Sequence, residues 1–260
     1  MYKNADDFYQ KNSKGEFLLD AAGNKVPTPR PADGDGNMYP IAPNSIWVGD
    51  YIFEDVNGDG KIDNNDRTFI GDPNPDFTFG LNNTITWKNF DFSFFINGSV
   101  GGDVYNYVRQ GHTNPEKYGN MMTEVAGYAK VGLIDPNGSA TDINNVYVTN
   151  PDLATAQRIS TAGQNQNDNN RVSSRFVEDG SYLRLKSISL TYNFPKKWLA
   201  PLQIQSLSIY GNIQNLFTIT GYDGYDPEIG ASGQSVILQN IDNYRYPSQR
   251  IYTFGLKLAF

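Results

Sequence analysis

The run "DFTFGLNNTITWKNFDFSFFINGSVG", residues 76–101, limits the possible folds more than any other part of the chain. Phe77, Phe79, Leu81, Ile85 and Trp87 fall on one face of an extended chain. Asp76, Thr78, Gly80, Asn82, Thr84 and Thr86 fall on the other. After the short turn "KN" the pattern repeats: Phe90, Phe92, Phe94, Ile96 and Val100 stand against Asp91, Ser93, Asn97 and Ser99. A period of two is the signature of a β-strand, and two such strands joined by so short a turn form an antiparallel hairpin.

Alternation returns three times. In "SYLRLKSISLTYNFP" Leu183 and Leu185 hold one phase while Ile188, Leu190, Tyr192 and Phe194 hold the other, which points to a β-bulge near Lys186–Ser187. In "QSLSIYGNIQNLFTIT" Leu207, Ile209, Ile213 and Phe217 share a face. The chain closes on "IYTFGLKLAF", with Tyr252, Phe254, Leu256, Leu258 and Phe260 in phase. The expected strands are therefore 76–87, 90–108, 181–194, 204–220 and 250–260. Their connections alternate between short (88–89, 195–203) and long (109–174, 221–249).

Short turns at one end of a sheet and long loops at the other describe an outer-membrane β-barrel. The competing architecture is a soluble antiparallel sandwich, in which alternation is equally expected. A sandwich needs apolar residues where its sheets meet, whereas the second face here is Asn, Ser, Thr and Gly. Aromatics also collect near strand ends (Trp87, Phe90, Tyr105, Tyr107, Tyr192, Trp198, Tyr252), where membrane girdles lie. The expected fold class is all-β: an antiparallel transmembrane β-barrel segment of five to six strands, an incomplete barrel with long extracellular loops. The alternative is a secreted, calcium-stabilised β-sandwich module that binds carbohydrate.

Ahead of the strands lies "DVNGDGKIDNND", residues 55–66, within a segment 55–75 that reads as an EF-hand-like loop. The spacing gives Asp55, Asn57, Asp59, Lys61 (by its carbonyl), Asp63 and Asp66 as oxygen ligands to Ca²⁺, with Gly60 at the sharp turn. Asp66 offers a shorter arm than the usual Glu. Asn, Asp and Gly favour turns without any metal, so an unmetallated turn is the alternative. Pro73 and Pro75 follow, and no helices flank the run, so a calcium-driven switch is not expected. A structural Ca²⁺ would hold the loop in shape at the entrance to a strand.

Residues 1–54 read as an irregular, Pro- and Gly-rich extracellular region. "SIWVGDYIFED" is a candidate short strand and "NPDLATAQRIS" a candidate short helix. The N-terminus shows no apolar signal core, and no apolar window is long enough for a membrane helix. The formal net charge of -7 excludes nucleic acid as an expected partner, because phosphate binding requires a basic stripe. With no cysteine and a single histidine, His112, thiol chemistry is excluded and a His-rich zinc site is not expected. Asp226 and Glu228 in "GYDGYDPEIG" have the residue types of a glycosidase pair, but read better as surface carboxylates of a loop. No enzymatic activity is expected.

Several of these motifs together resemble one family. The run from "DVNGDGKIDNND" through "GGDVYN", with "DGSYLRLKSISLTYNFP", "LSIYGNIQNLFTITGYDGYDPE" and "YPSQRIYTFGLKLAF" in that order, is similar to the late barrel region of the SusC/RagA family. These are TonB-dependent outer-membrane transporters of Bacteroidota. The similarity runs from about Gly49 to Phe260. Such proteins also carry a signal, a small regulatory-like domain, a TonB-box segment, a plug and a barrel of about 22 strands. The resemblance thus covers a C-terminal fifth to quarter of a member. It implies import of oligosaccharide or peptide fragments across the bacterial outer membrane, a SusD-like surface lipoprotein as partner, and coupling to the TonB system through parts outside this segment. It also implies contact with outer-membrane lipid. Five strands are too few to close a barrel, for which about eight is the practical minimum. The segment is therefore expected to need further strands.

Overall fold

The computed structural model describes residues 1–116, 119–160, 165–229 and 239–260. Among these the strands are β1 (Phe77–Trp87), β2 (Phe90–Val100), β3 (Asp103–Asn106), β4 (Val131–Leu133), β5 (Val146–Val148), β6 (Val177–Asp179), β7 (Tyr182–Asn193), β8 (Ser206–Thr220), β9 (Ile241–Asp242) and β10 (Ile251–Ala259). Parts of the loops expected at 109–174 and 221–249, namely 117–118, 161–164 and 230–238, lie outside the described residues. The chain divides into two compact units, 1–69 with 109–172, and 70–108 with 173–260. Long-range pairing joins segments that are far apart in sequence.

The second unit is built on a five-stranded antiparallel sheet in the order β1-β2-β7-β8-β10. The register places Leu81 opposite Ile96, Ile85 opposite Phe92, Phe92 opposite Leu190, Leu190 opposite Gly211 and Gly211 opposite Phe254. Cross-strand partners share a face, so one face is apolar across all five strands. The other carries Thr84, Ser93, Ser189, Asn212 and Thr253 in one row. The bulge anticipated near Lys186 is present: the register shifts between Leu185 and Ser187 on β7. Opposite it, Asn215 on β8 takes a positive φ of 50°.

The apolar face is exposed. Trp87 is 62% accessible, Ile219 61%, Leu256 62% and Phe254 83%. Trp87, Phe90, Tyr192, Phe194 and Trp198 form a chain of rings at the short-turn end, with successive centroids 4.8 to 6.5 Å apart. β1 and β10 are the edges of the sheet, and all eleven residues of β1 are exposed.

The strand expected over 90–108 ends at Val100. Gly101 and Gly102 both take positive φ, 73° and 80°, and a Cβ on Gly101 would lie 2.5 Å from Asp76 Oδ2. The chain turns there, and β3 joins β6 and β9 in a separate three-stranded sheet. Tyr105 consequently sits against Phe176, centroids 6.2 Å apart, rather than in the aromatic chain.

The first unit has little regular structure, yet it is packed. Residues 1–54 were expected as irregular loop, but Tyr2, Phe8, Ile46, Trp47 and Val48 form a buried cluster with Ala129, Val146 and Val148. The Tyr2 and Phe8 rings stack at 4.2 Å. Full burial of side chains this large contributes about 1.5–3 kcal/mol each. "SIWVG" is therefore core rather than a strand. "NPDLATAQRIS" forms a turn and a bridge of Ala156 to Tyr128 in place of a helix. Backbone hydrogen bonds lace the segments together: Tyr2 N–H to Asp50 O, Arg158 N–H to Gly49 O, Val148 N–H to Lys3 O and Ala129 N–H to Ala156 O.

Three hairpin turns in this unit repeat one device. In Asn12–Glu16, Asp20–Asn24 and Asp33–Asn37 the first side-chain Oδ1 accepts the N–H groups two and four residues on. The fourth residue is a glycine with φ of 83–84°. Asp and Asn stabilise such turns by imitating a backbone carbonyl, and glycine supplies the left-handed conformation.

Candidate functional site

Two sites merit description: the Asp-rich loop singled out in the sequence, and an ion cluster on the polar face of the large sheet.

The Asp-rich loop closes on its own hydrogen bonds. Asp55 accepts the N–H groups of Gly58 and Asp59 on Oδ1 and of Gly60 on Oδ2. Asn57 Oδ1 accepts from Asp59 N–H, and Asp59 Oδ1 from Lys61 N–H. Asp66 Oδ1 accepts from Val56 and Asn57, and its Oδ2 from Asp63 N–H. Asp63 accepts from Asn65 N–H and Asp66 reaches back to Asp63, a capping box on the short helical turn 64–66. The Lys61 ammonium lies 3.1 Å from Asp63 Oδ2. This hydrogen bond and charge raise the Lys61 pKa. The Asn65 N–H, and then Lys61, lower that of Asp63. Lys61 thus brings a positive charge to one of the four expected carboxylate ligands.

Among the described residues, no three acidic, histidine or cysteine side chains gather closely enough to share a metal ion. The expected ligands Asp55, Asn57, Asp59, Lys61, Asp63 and Asp66 all lie within this one loop, where the Asp and Asn side-chain oxygens accept backbone N–H groups. The loop also belongs to the first unit, where Ile62 is 4% exposed and exchanges backbone hydrogen bonds with Arg30 and Ala32. The entrance to β1 lies in the second unit. That entrance is fixed by Asp72 N–H to Asp103 Oδ2 at 2.8 Å, Asp103 N–H to Asp72 O at 2.6 Å, and Asn240 Nδ2 to Pro73 O at 2.7 Å.

The second site forms where the bulge in β7 meets the segment after β8. Arg184 points to the polar face between Asn97 and Thr218 and is 3% exposed. Its Nε donates to Thr218 Oγ1 at 2.8 Å, and Nη1 donates to Glu228 Oε2 at 2.8 Å and Ser248 Oγ at 3.1 Å. Nη2 donates to Asp226 Oδ1. Lys186, the extra residue of the bulge, donates to both Glu228 oxygens at 2.8 and 2.6 Å. Asp226 also accepts the N–H groups of Glu228 and Ser248, at 3.0 and 2.9 Å. Burial alone would raise the Asp226 pKa, but the Arg184 guanidinium and the two N–H groups outweigh it and hold the carboxyl below its ordinary value. A cavity of about 300 Å³ opens beside the cluster, lined by Arg184, Thr218, Tyr225, Asp226 and Arg250 among others.

Asp226, expected as a surface carboxylate, is 7% exposed. Both carboxylates are bound to cations on the strand, the arrangement of a structural ion cluster. Sequence reading did not pair them with Arg184 and Lys186. The signal was two cations in a strand otherwise made of uncharged residues. His112 accompanies neither site; its Nδ1 lies 2.9 Å from Asn120 O.

An antiparallel sheet with one continuous exposed apolar face, a polar opposite face, a row of aromatics at its short-turn end and long loops at the other defines an outer-membrane β-barrel wall. Comparison with known proteins agrees. No family model matches the chain. The TonB-dependent receptor P3 of Formosa agariphila is 35% identical over 216 residues, 82% of this chain and 19% of that protein. The TonB-dependent receptor P39 of the same organism is 31% identical over 233 residues, and the TonB-dependent receptor SusC of Bacteroides thetaiotaomicron 27% over 255 residues. Among solved structures, the RagAB peptide transporter matches 70% of the chain with a TM-score of 0.50 at 22% identity. The RagAB peptide importer in its closed-closed state matches 94%, also at 0.50. The chain belongs to the TonB-dependent receptors of the SusC/RagA kind, proteins of the outer membrane. It spans about a fifth of the length of the relatives it matches.

Proposed function

We propose that this chain supplies five neighbouring strands of the wall of a TonB-dependent outer-membrane importer, with its polar face toward the transport path. On this reading the cargo is a glycan or peptide fragment, a SusD-like surface lipoprotein cooperates in its capture, and the TonB system drives uptake.

The observation that carries the reading is the continuous apolar face from Phe79 to Phe254, exposed over all five strands. A β-sandwich would cover it with a second sheet. In water it would be a large exposed apolar patch of the kind that marks an interaction surface, and lipid is the environment such a face fits. β1 and β10 leave backbone donors and acceptors open, each costing several kcal/mol in hydrocarbon. The wall is therefore completed by further strands.

Co-flotation with phospholipid vesicles of the chain, joined to the further strands that complete the wall, tests the proposal. Lysine on the apolar face, as in Ile85→Lys with Phe94→Lys, is expected to cost about 2–4 kcal/mol per site near the membrane centre and to abolish flotation. Thr84→Lys, on the polar face, is expected to leave flotation intact. Equal tolerance of both faces would refute the assignment.

A further inference from the structure

We infer that Arg184 and Lys186 anchor the segment Tyr222–Ile229 against the polar face of the sheet, so that it forms a fixed inward-folded ledge rather than a free surface loop. The inference rests on the importer reading for its direction: the polar face is the one toward the transport path.

The anchoring is redundant. Arg184 binds Thr218 on the neighbouring strand, both carboxylates of the "DPE" run and Ser248 at the far end of the loop. It therefore joins the outgoing and returning arms of residues 221–249 to one point on the wall. Lys186 holds Glu228 independently. Asp226 ties the two arms through Ser248 N–H. Further bonds reinforce the arms: Thr220 Oγ1 to Ser181 O at 2.8 Å, Tyr222 OH to Asp242 Oδ2 at 2.6 Å, and Asn215 Nδ2 to Gln249 O at 2.9 Å. Ile229 is 2% exposed and packs with Val104 and Tyr222. Tyr225, by contrast, is 66% exposed. The ledge thus presents the exposed ring of Tyr225 from a hydrogen-bonded base, beside the cavity that Arg250 also lines. Rigid aromatic rings contribute contact area at low entropic cost, so this arrangement places Tyr225 to meet cargo.

Hydrogen exchange measured by mass spectrometry on the chain in detergent micelles tests the anchor. In Arg184→Met, peptides covering 221–229 and 246–249 are expected to exchange about tenfold faster, while β2 and β8 stay unchanged. If Arg184→Met also accelerates β2 and β8, the milder Lys186→Met decides. It leaves Arg184 in place and is expected to speed only 226–229, about threefold. Unchanged exchange of these loop peptides in the deciding variant overturns the anchor. Vesicle flotation of the same variants should match the parent chain. A parent chain that does not float counts against the importer reading and leaves the anchor standing.

Discussion

Arg158 in the first unit and Arg184 in the second are both almost out of reach of water, at 7% and 3% exposed, and they serve different ends. Arg158 donates to both oxygens of Asp50, at 2.8 and 3.2 Å, and to the carbonyls of Pro43 and Ser45. Asp50 is fully buried and also accepts from Asn169 and from the Trp47 N–H. Every partner of Arg158 is packed, so its ion pair is the closure of a core. Arg184 draws its partners from a strand and from two arms of a loop, and a cavity lies against it. The same chemistry closes a fold in one place and fixes a working surface in the other. A region poor in regular structure needs such a staple because few backbone ladders hold it. The sheet already has its ladders and can spend its arginine on the loop.

The largest expected effect separates the two directly. Arg158→Met leaves the Asp50 charge buried without its partner and is expected to destabilise the first unit by about 3–5 kcal/mol. Chemical denaturation followed by fluorescence of Trp47, 4% exposed, reads it; a loss below 1 kcal/mol would break the contrast.

Acidification sharpens it, because the two carboxylates respond in opposite senses. Burial, the larger influence, holds Asp50 above its ordinary value of 3.8 despite Arg158. Its contribution is fully present below 3.8 and is lost as pH rises through the raised value. Asp226 lies below 3.8, so its contribution is present above that pH and is lost as pH falls through the depressed value. Lowering the pH under 3.8 should therefore release the ledge while sparing the Asp50 cluster. The chain has no cysteine, so a fluorophore on Tyr225→Cys reports the ledge alone. A fall in its anisotropy is expected before any change at Trp47, and the reverse order would contradict the assignment.

The smallest effects concern the Asp-rich loop. Asp66→Ala removes the capping box and the acceptor for Val56 and Asn57, and is expected to cost about 1 kcal/mol by the same denaturation assay. The loop closes on its own bonds, so chelating calcium is expected to leave the melting temperature within about 1 °C, less than the several degrees that 1 kcal/mol would produce. A calcium-dependent rise of several degrees would show that the side chains assemble a shell around the ion.

What could be read from the sequence follows from which forces are local. The strands were legible because the side chains of a sheet in lipid obey a period of two on both faces, as Phe77–Trp87 and Phe90–Val100 do. The bulge at Lys186 was legible for the same reason, as a break in that period. The end of β2 was not, because Val104 continues the phase and only Gly101–Gly102 break it. The core of the first unit was invisible since Arg158 and Asn169 each stand more than a hundred residues from their partner Asp50. The Asp-rich loop admits two readings in the sequence, because turn geometry and calcium chelation select the same residues. Asn12–Glu16, Asp20–Asn24 and Asp33–Asn37 use the same Asx chemistry in this chain with no twelve-residue spacing at all. The relation of Asp226 and Glu228 to Arg184 depended on a loop folding back, which no local pattern announces.

The bulge has a consequence for how such a wall changes over time. On either side of Lys186 the strand keeps lipid-facing residues outward, Ile188 and Leu190 below it, Leu183 and Leu185 above. The extra residue is absorbed without inverting either half. A membrane sheet cannot elsewhere gain or lose a single residue in one strand, since every later side chain would change sides. Position 186 is thus a point where one strand can differ in length from its neighbours. Deleting Lys186 would bring Leu185 and Ile188 into one phase opposite β2 and remove one tether to Glu228, while β8 would keep both Asn215 and Leu216 unmatched between the partners of Ser187 and Leu185.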